Sequence, residues 1–178
     1  AASWARGATR RVRVTYGYWD GGEREFRGFA HVQQWDAESW TGTEGDPDQI
    51  LSRPPVRTET WLHTGAWFAA DSLMARLKTE WFQGDPKAWP LPDCEIPPGL
   101  TPEEQREAVR ALRGRTLRQE VYADDGSTKA GVPYSVTEQS HVAVIVQPRA
   151  AEIAQKHAVF LAHDREKRSS QYERDAAD

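Results

Sequence analysis

The stretch from Tyr16 to Trp35, YGYWDGGEREFRGFAHVQQW, constrains this chain more than any other. It reads as a β-hairpin. An aromatic strand runs to Trp19, Asp20-Gly21-Gly22 is a tight-turn signal, and glycine tolerates the positive φ that such turns demand. The second strand is predicted to start at Glu23. Side chains alternate along a strand, so Phe26, Ala30 and Val32 fall on one face and Glu25, Arg27, Phe29, His31, Gln33 and Trp35 on the other. Neither face is purely apolar, which suits a sheet with one solvated side. Gly28 is weak in a strand interior and marks a bulge or a close backbone approach.

The rest of the chain extends this pattern. Arg10 to Trp19 alternates with period two, Asp36 to Pro55 reads as an exposed loop, and Val56 to Gly65 as a strand. Asp71 offers an N-cap to a helix over SLMARLKTEWFQ, with Gly84 as its stop and Leu73, Met74, Leu77, Trp81 and Phe82 as its apolar stripe. Asp85 to Leu100 carries Pro86, Pro90, Pro92, Pro97 and Pro98. It can continue neither a helix nor a ladder, so it is expected to cross the surface in extended form. Thr101-Pro102-Glu103-Glu104 is a capping box with proline at the first helical position. Its helix, to Arg113, shows only Ala108, Val109 and Leu112 as a stripe and is expected to be peripheral.

Arg115 to Ala123 reads as a strand, Asp124 to Ser127 as a turn, and Val132 to Gln147 as a long central strand or strand pair. Ala151 to Asp178 fits either a helix or a buried strand, with propensity leaning to the helix. The expected fold class is therefore mainly β with minor α: antiparallel sheet with two short helices. Residues 1–178 form a single segment whose one plausible seam is the Pro-rich crossing 85–100. Trp61, Phe26 and Tyr134 are the expected core.

The 178 residues suffice for a sizeable core. The mean hydropathy of −0.76 is low, but eight tryptophans compensate because each aromatic side chain can bury ~150–250 Å². A net charge of −4 argues against nucleic acid or an anionic membrane as partner. The single Cys94 excludes an internal disulfide framework. No apolar run approaches a membrane span, and no signal peptide is visible. The chain starts abruptly at AASWARGATRRV, without methionine, and reads as a piece of a longer protein.

Catalytic candidates are thin. Glu23-Arg24-Glu25 holds a Glu-x-Glu pair of the kind used by ADP-ribosyltransferases, but alternate carboxylates on a strand are common and a salt-bridged role is expected. The five histidines, His31, His63, His141, His157 and His163, lack metal-ligand spacing, so no metal and no cofactor are expected. Cys94 has no adjacent base or helix N-terminus to activate it. Ser135 and Ser140 lack a nucleophile-elbow setting. Trp19, Trp35, Trp40, Trp61 and Trp67 could line a sugar cleft but more simply pack a sheet. The run Arg10, Arg11 and Arg13 reads as a solvated strand face.

At Gly17-Tyr18-Trp19-Asp20-Gly21, Glu23 to Phe29, Val32, Gln34 and Asp36, the sequence resembles a region shared by the B components of bacterial insecticidal toxin complexes (Tc toxins, TcdB/TcaC-like) and related SpvB-type and Rhs/YD-repeat proteins. The matches continue in order. They include Thr60 to Ala66 with Trp61 and His63, Phe82 to Asp85, Leu91-Pro92-Asp93, Pro97 to Thr101, Leu112-Arg113-Gly114, Glu120-Val121-Tyr122, Val132 to Glu138 around Tyr134, Gln147-Pro148-Arg149, and His157 to Phe160 leading to Tyr172 to Asp175. Trp19 for the usual tyrosine and Ala30 for a glycine are small departures.

The resemblance implies a secreted, non-enzymatic segment from the middle to C-terminal part of the B component. There, B and C components spiral β-sheet strips into a hollow shell enclosing a cytotoxic polypeptide until it leaves through the A-component channel. It implies strand for the tail, against raw propensity. No contact with nucleic acid or membrane is implied. Asp20, Gly21, Glu23, Arg24, Glu25, Phe26, Arg27 and Gly28, with Trp61, His63 and Tyr134, are the structural motif residues. Asp20, Glu23, Arg24, Glu25 and Arg27 are expected to fix the hairpin by cross-strand pairs and turn hydrogen bonds. The rival readings are a free-standing β-rich binding module, or a carbohydrate-active or ADP-ribosyltransferase-like domain.

Overall fold

Among the described residues, six strands pair in the order in which they are made. A computed structural model describes residues 7–39, 55–89, 91–150, 154–172 and 174. The elements are β1 Gly7–Asp20, β2 Glu25–Ser39, β3 Val56–Leu62, α1 Ala70–Glu80, α2 Pro102–Ala111, β4 Thr116–Ala123, β5 Ser135–Gln147 and β6 Val159–Gln171. The sheet order is β1-β2-β3-β4-β5-β6, and every pairing is antiparallel. The protein is thus mainly β, with two short helices. Residues 40–54, including Trp40 and most of the expected loop, lie outside the described residues, as do Ala151 to Ile153 in the tail.

The hairpin forms with a longer turn than expected. Gly21 to Arg24 make the connection, Arg24 adopts φ 54, and β2 begins at Glu25 rather than Glu23. Gly17 pairs with Phe29 and Trp19 with Phe26, so β2 carries one extra residue across this step. That is a bulge, and Gly28 sits in it at φ 103, a conformation that glycine reaches without strain. A second irregularity lies at Tyr16, with φ 57. It brings Thr15 and Tyr16 toward the same side, where Thr15 meets His31 and the Tyr16 hydroxyl donates to Glu80 of α1.

These two irregularities overturn the simple alternation. Ala30 is buried, whereas Phe26 is 44% exposed and therefore not core. Phe26 and Phe29 instead stack edge to face at 5.2 Å, over Gly17. Tyr134 is not core either. It precedes β5 at the sheet margin, 42% exposed, with Arg174 5.5 Å from its ring. Trp61 is fully buried. Burying an indole of that size removes roughly 150–250 Å² from water, an upper-bound stabilisation on the order of 4–6 kcal/mol.

Trp61, Ala30 and Leu77 form one core cluster, with Tyr16, Leu73, Met74 and Trp81 packed against it. The α1 stripe therefore serves β2 and β3 as its spacing implied. Its N-cap is Ala69, not Asp71, and Asp71 falls in the first turn, where a carboxylate suits the helix dipole. The second helix is not peripheral: Ala108 and Leu112 are buried with Ala143 of β5 and Ala162 of β6. The facing alanines of β5 and β6 let the helix approach closely, and Ile96, Leu100 and Phe160 pack around the contact. The capping box at Thr101 and Glu104 forms as the sequence predicts.

Register divides the sheet into two faces. One row runs Thr15, His31, Trp61, Arg118, Glu138, Arg168 across all six strands, and the four central members are buried. The next row runs Val14, Val32, Thr60, Gln119, Thr137, Ser169, and none of these is buried. The first row faces α1. The second faces away and is made of polar or β-branched side chains. The tail is strand, not helix.

Candidate functional site

The hairpin tip is a cluster of charges around one buried guanidinium. Asp20 Oδ1 accepts from the Gly22 and Glu23 amides, both at 3.0 Å, which closes the turn. The Glu23 amide above all, and then the Arg27 charge, hold the Asp20 carboxyl below its usual range. The Arg27 side chain is fully buried, 2.9 Å from Asp20, 3.0 Å from Glu23 and 3.6 Å from Glu25. It also donates to the Gly65 carbonyl at 2.6 Å. From α2 and its C-terminal turn, Arg110 reaches Glu23 at 3.0 Å and Arg113 reaches Glu25 at 2.7 Å. Arg113 also donates to the Phe26 carbonyl.

Four of the expected motif residues, Asp20, Glu23, Glu25 and Arg27, thus come together. Asp20 and Arg27 pair across the two strands, and Arg27, Glu23 and Glu25 also tie the hairpin to the β3–α1 connection and to α2. Arg24 is exposed, and Gly21 has open space around it. Both carboxylates of the Glu-x-Glu pair are taken up by arginines, a structural arrangement. Gly65 meets the helix closely: a Cβ there would lie 3.1 Å from the Val109 carbonyl, and its φ is 72. His63 accepts the Gly65 amide on Nδ1 at 2.9 Å. Burial, and secondarily the neighbouring His141, lowers the His63 pKa to about 4.

A second constellation, which the sequence reading missed, crosses the buried face. Arg118 lies 2.5 Å from Glu120 and 2.8 Å from Glu138, and Arg168 closes on Glu138 from β6. Tyr122 donates to Glu120, whose other oxygen accepts the Phe82 amide at 2.9 Å. Burial and the Glu120 charge push the Tyr122 hydroxyl pKa well up. Further along, Arg57 pairs with Glu59 and lies 4.2 Å over the Tyr122 ring. Glu59 meets His31 at 3.1 Å. His31 stacks on Trp61 with centroids 4.6 Å apart and planes 2° from parallel. The signal was present in the sequence: Arg118, Glu120 and Tyr122 share one face of β4, and a strand carrying such residues inward must pair them.

The remaining candidates are dispersed. His141 is buried between Asp164 and the Thr116 carbonyl, and His157 contacts Glu107. Among the described residues no group of three acidic, histidine or cysteine side chains could hold a metal. Burial raises the Cys94 thiol pKa, the opposite of an activated nucleophile. Trp19 is exposed, Trp35 lies under Arg11, Trp61 is core and Trp67 lies under Arg106, so these tryptophans line no common cleft. A cavity of about 540 Å³ does exist, between α1, the Pro-rich crossing and the β4–β6 floor.

Comparisons with known proteins agree with this architecture. The family described as "Insecticide toxin TcdB middle/C-terminal region" matches residues 107–178. A crystal structure of TcdB2-TccC3-TEV is similar over 98% of this chain and 8% of its own, at 30% identity and a TM-score of 0.79. A crystal structure of TcdB2-TccC3 without its hypervariable C-terminal region is similar over 94% of this chain and 8% of its own, at 32% identity and a TM-score of 0.75. A Tc holotoxin pore of Photorhabdus luminescens matches over 95% of this chain and 8% of its own, at 31% identity and a TM-score of 0.73. This chain therefore spans about a twelfth of the length of those chains. No curated protein sequence matches it.

Proposed function

This chain is a relative of the middle/C-terminal region of the Tc toxin B component, and on that premise we propose that it is a non-enzymatic wall segment of a hollow β shell. In this reading the shell is secreted, is built together with a C component, and keeps a cytotoxic polypeptide sealed until it passes into an A-component channel. The similar structures that contain TccC3 support the C component as partner. The holotoxin pore supports membership of a larger secreted complex.

One observation carries the reading: the sheet is an open strip with two long outer strands. β1 has 14 residues and β6 has 13, and among the described residues neither has a strand on its outer side. Long open edges are an aggregation hazard in a free-standing domain and natural in one strip of a continuous sheet. The buried charge ladders add to this. Arg27, Arg118 and Glu138 are each held by charged partners on more than one side, an arrangement that suits a fixed structural role.

The test uses the complete B component assembled with its C component and enclosed effector. Variants of the hairpin clamp and of the Arg118 ladder are scored for effector delivery and for protease resistance of the effector. A wall segment predicts that each loss of delivery is matched by exposure of the effector. A variant that abolishes delivery while the effector stays sealed, with assembly intact, overturns the reading.

A further inference from the structure

The Pro-rich crossing leaves a space beneath it that the wall role does not use. From Phe82 to Trp89 and from Leu91 to Ile96 the chain runs over the sheet and is fastened at three points. Tyr172 donates to Asp85 at 2.8 Å, Lys78 of α1 donates to Asp93 at 2.7 Å, and Glu95 exchanges backbone hydrogen bonds with His141 and Ala143 of β5. Under it lies the cavity of about 540 Å³. Packed interiors leave few voids larger than a water molecule, and a volume of this size falls in the range of small-molecule pockets, about 300–1,000 Å³.

The walls are aromatic and aliphatic: Trp81, Phe82, Trp89, Leu91, Leu117 and Tyr172 all line the cavity. Its polar floor has a definite imbalance. Three of its four carboxylates are engaged, Glu138 by Arg118 and Arg168, Asp93 by Lys78, and Asp85 by the Tyr172 hydroxyl, while Asp71 sits exposed at the rim in the first turn of α1. Donors are left over. The Trp81 indole N–H is buried without an acceptor. Arg168 spends only Nη2, on Glu138, and among the described residues its other guanidinium nitrogens meet no acceptor. A buried donor without a partner is unfavourable and asks for an acceptor. An arginine with free nitrogens recognises a carboxylate with charge-assisted bonds.

We infer that this cavity is a binding site for a small amphipathic carboxylate, an aromatic or medium-chain acid whose apolar body lies between the tryptophans of the crossing and α1 and whose head meets Arg168. The apolar body displaces water from Trp81, Trp89 and Leu91, and the carboxylate supplies the acceptor that the Trp81 and Arg168 donors lack. Such a ligand also bridges α1, the crossing and β6.

The complete polypeptide carrying this segment is irradiated with the photoreactive acid 4-benzoylbenzoate, and labelled peptides are mapped by mass spectrometry. Labelling is expected within residues 81–96. It should fall at least tenfold with excess decanoate, with the Leu91→Trp variant that fills the cavity, and with Arg168→Gln. The neutral analogue 4-methylbenzophenone should label at least tenfold less. Protease resistance establishes that each variant is folded, and competition by decanoate needs no variant. The inference is overturned by absence of label in 81–96, by indifference to decanoate, or by equal labelling with the neutral analogue.

Discussion

The guanidinium of Arg27 donates to the main-chain carbonyl of Gly65, 2.6 Å away and 38 residues along the chain. This one bond joins the bulged arm of the hairpin to the connection between β3 and α1, and the arginine is enclosed by Asp20 and Glu23 as it does so. Removing one partner of a buried ion pair leaves the others uncompensated, which costs about 3–5 kcal/mol. Arg27→Ala should therefore be among the most destabilising single changes in the chain. Arg27→Lys should recover only part of the loss, because an ammonium cannot span three carboxylates and a carbonyl. Denaturant midpoints of the two variants check this.

Trp61 of β3 and Phe26 of the hairpin should separate cleanly although both are aromatic. Trp61→Ala leaves a large hole between β3 and α1 and should cost about 3–5 kcal/mol. Phe26→Ala removes a side chain that is 44% exposed and should cost roughly 1 kcal/mol or less. Thermal or denaturant unfolding of both variants decides the point, and a comparable loss at Phe26 would contradict the face assignment.

Thr101→Ala removes the side-chain acceptor of the Glu104 amide and half of the capping box. The expected loss is about 1 kcal/mol. Because α2 carries both Ala108 of the core and the arginines that hold the hairpin, its first turn should lose amide-exchange protection and the hairpin tip should loosen with it. Hydrogen exchange on the 20–27 and 101–113 segments measures the coupling.

Acid should weaken the fold through His63. Its folded-state pKa, about 4, lies below the ordinary value of 6.5. The unfolded chain therefore takes up the proton first. The stability linked to neutral His63 is complete above about pH 6.5, is lost progressively as pH falls toward 4, and is gone below that. One pH unit of such a shift corresponds to about 1.4 kcal/mol, so a loss on the order of 1–3 kcal/mol is expected across the window. His31, also lowered by burial, acts in the same direction. His63→Gln should flatten the dependence between pH 6.5 and 4, measured as the midpoint of unfolding against pH.

Much of this was legible in the sequence where the signal is local. The capping box at Thr101, the apolar spacing from Leu73 to Trp81 and the turn at Asp20 depend on neighbours within a few residues. The tail was not decidable from pattern: Ile153, His157, Phe160 and Leu161 suit a helix as well as a strand, and the pairing of Val159 to Gln171 with β5 is what selects the strand. Phe26 was misplaced because a one-residue bulge at Gly28 reverses every face that follows it. Tyr134 was misplaced because an aromatic beside a strand start says nothing about whether the sheet continues past it. The importance of α2 was underestimated because its partners, Ala143 and Ala162, are small and far away in sequence. The Arg118 ladder needed register between β4, β5 and β6, which no single segment contains.

The strict succession of the strands has a bearing on how such a strip comes to exist. Each strand lies beside the one synthesised just before it, so a chain leaving the ribosome always finds its next partner already in place. Growth can then proceed like knitting, one row at a time, with no strand waiting for a distant mate and no earlier row to unpick.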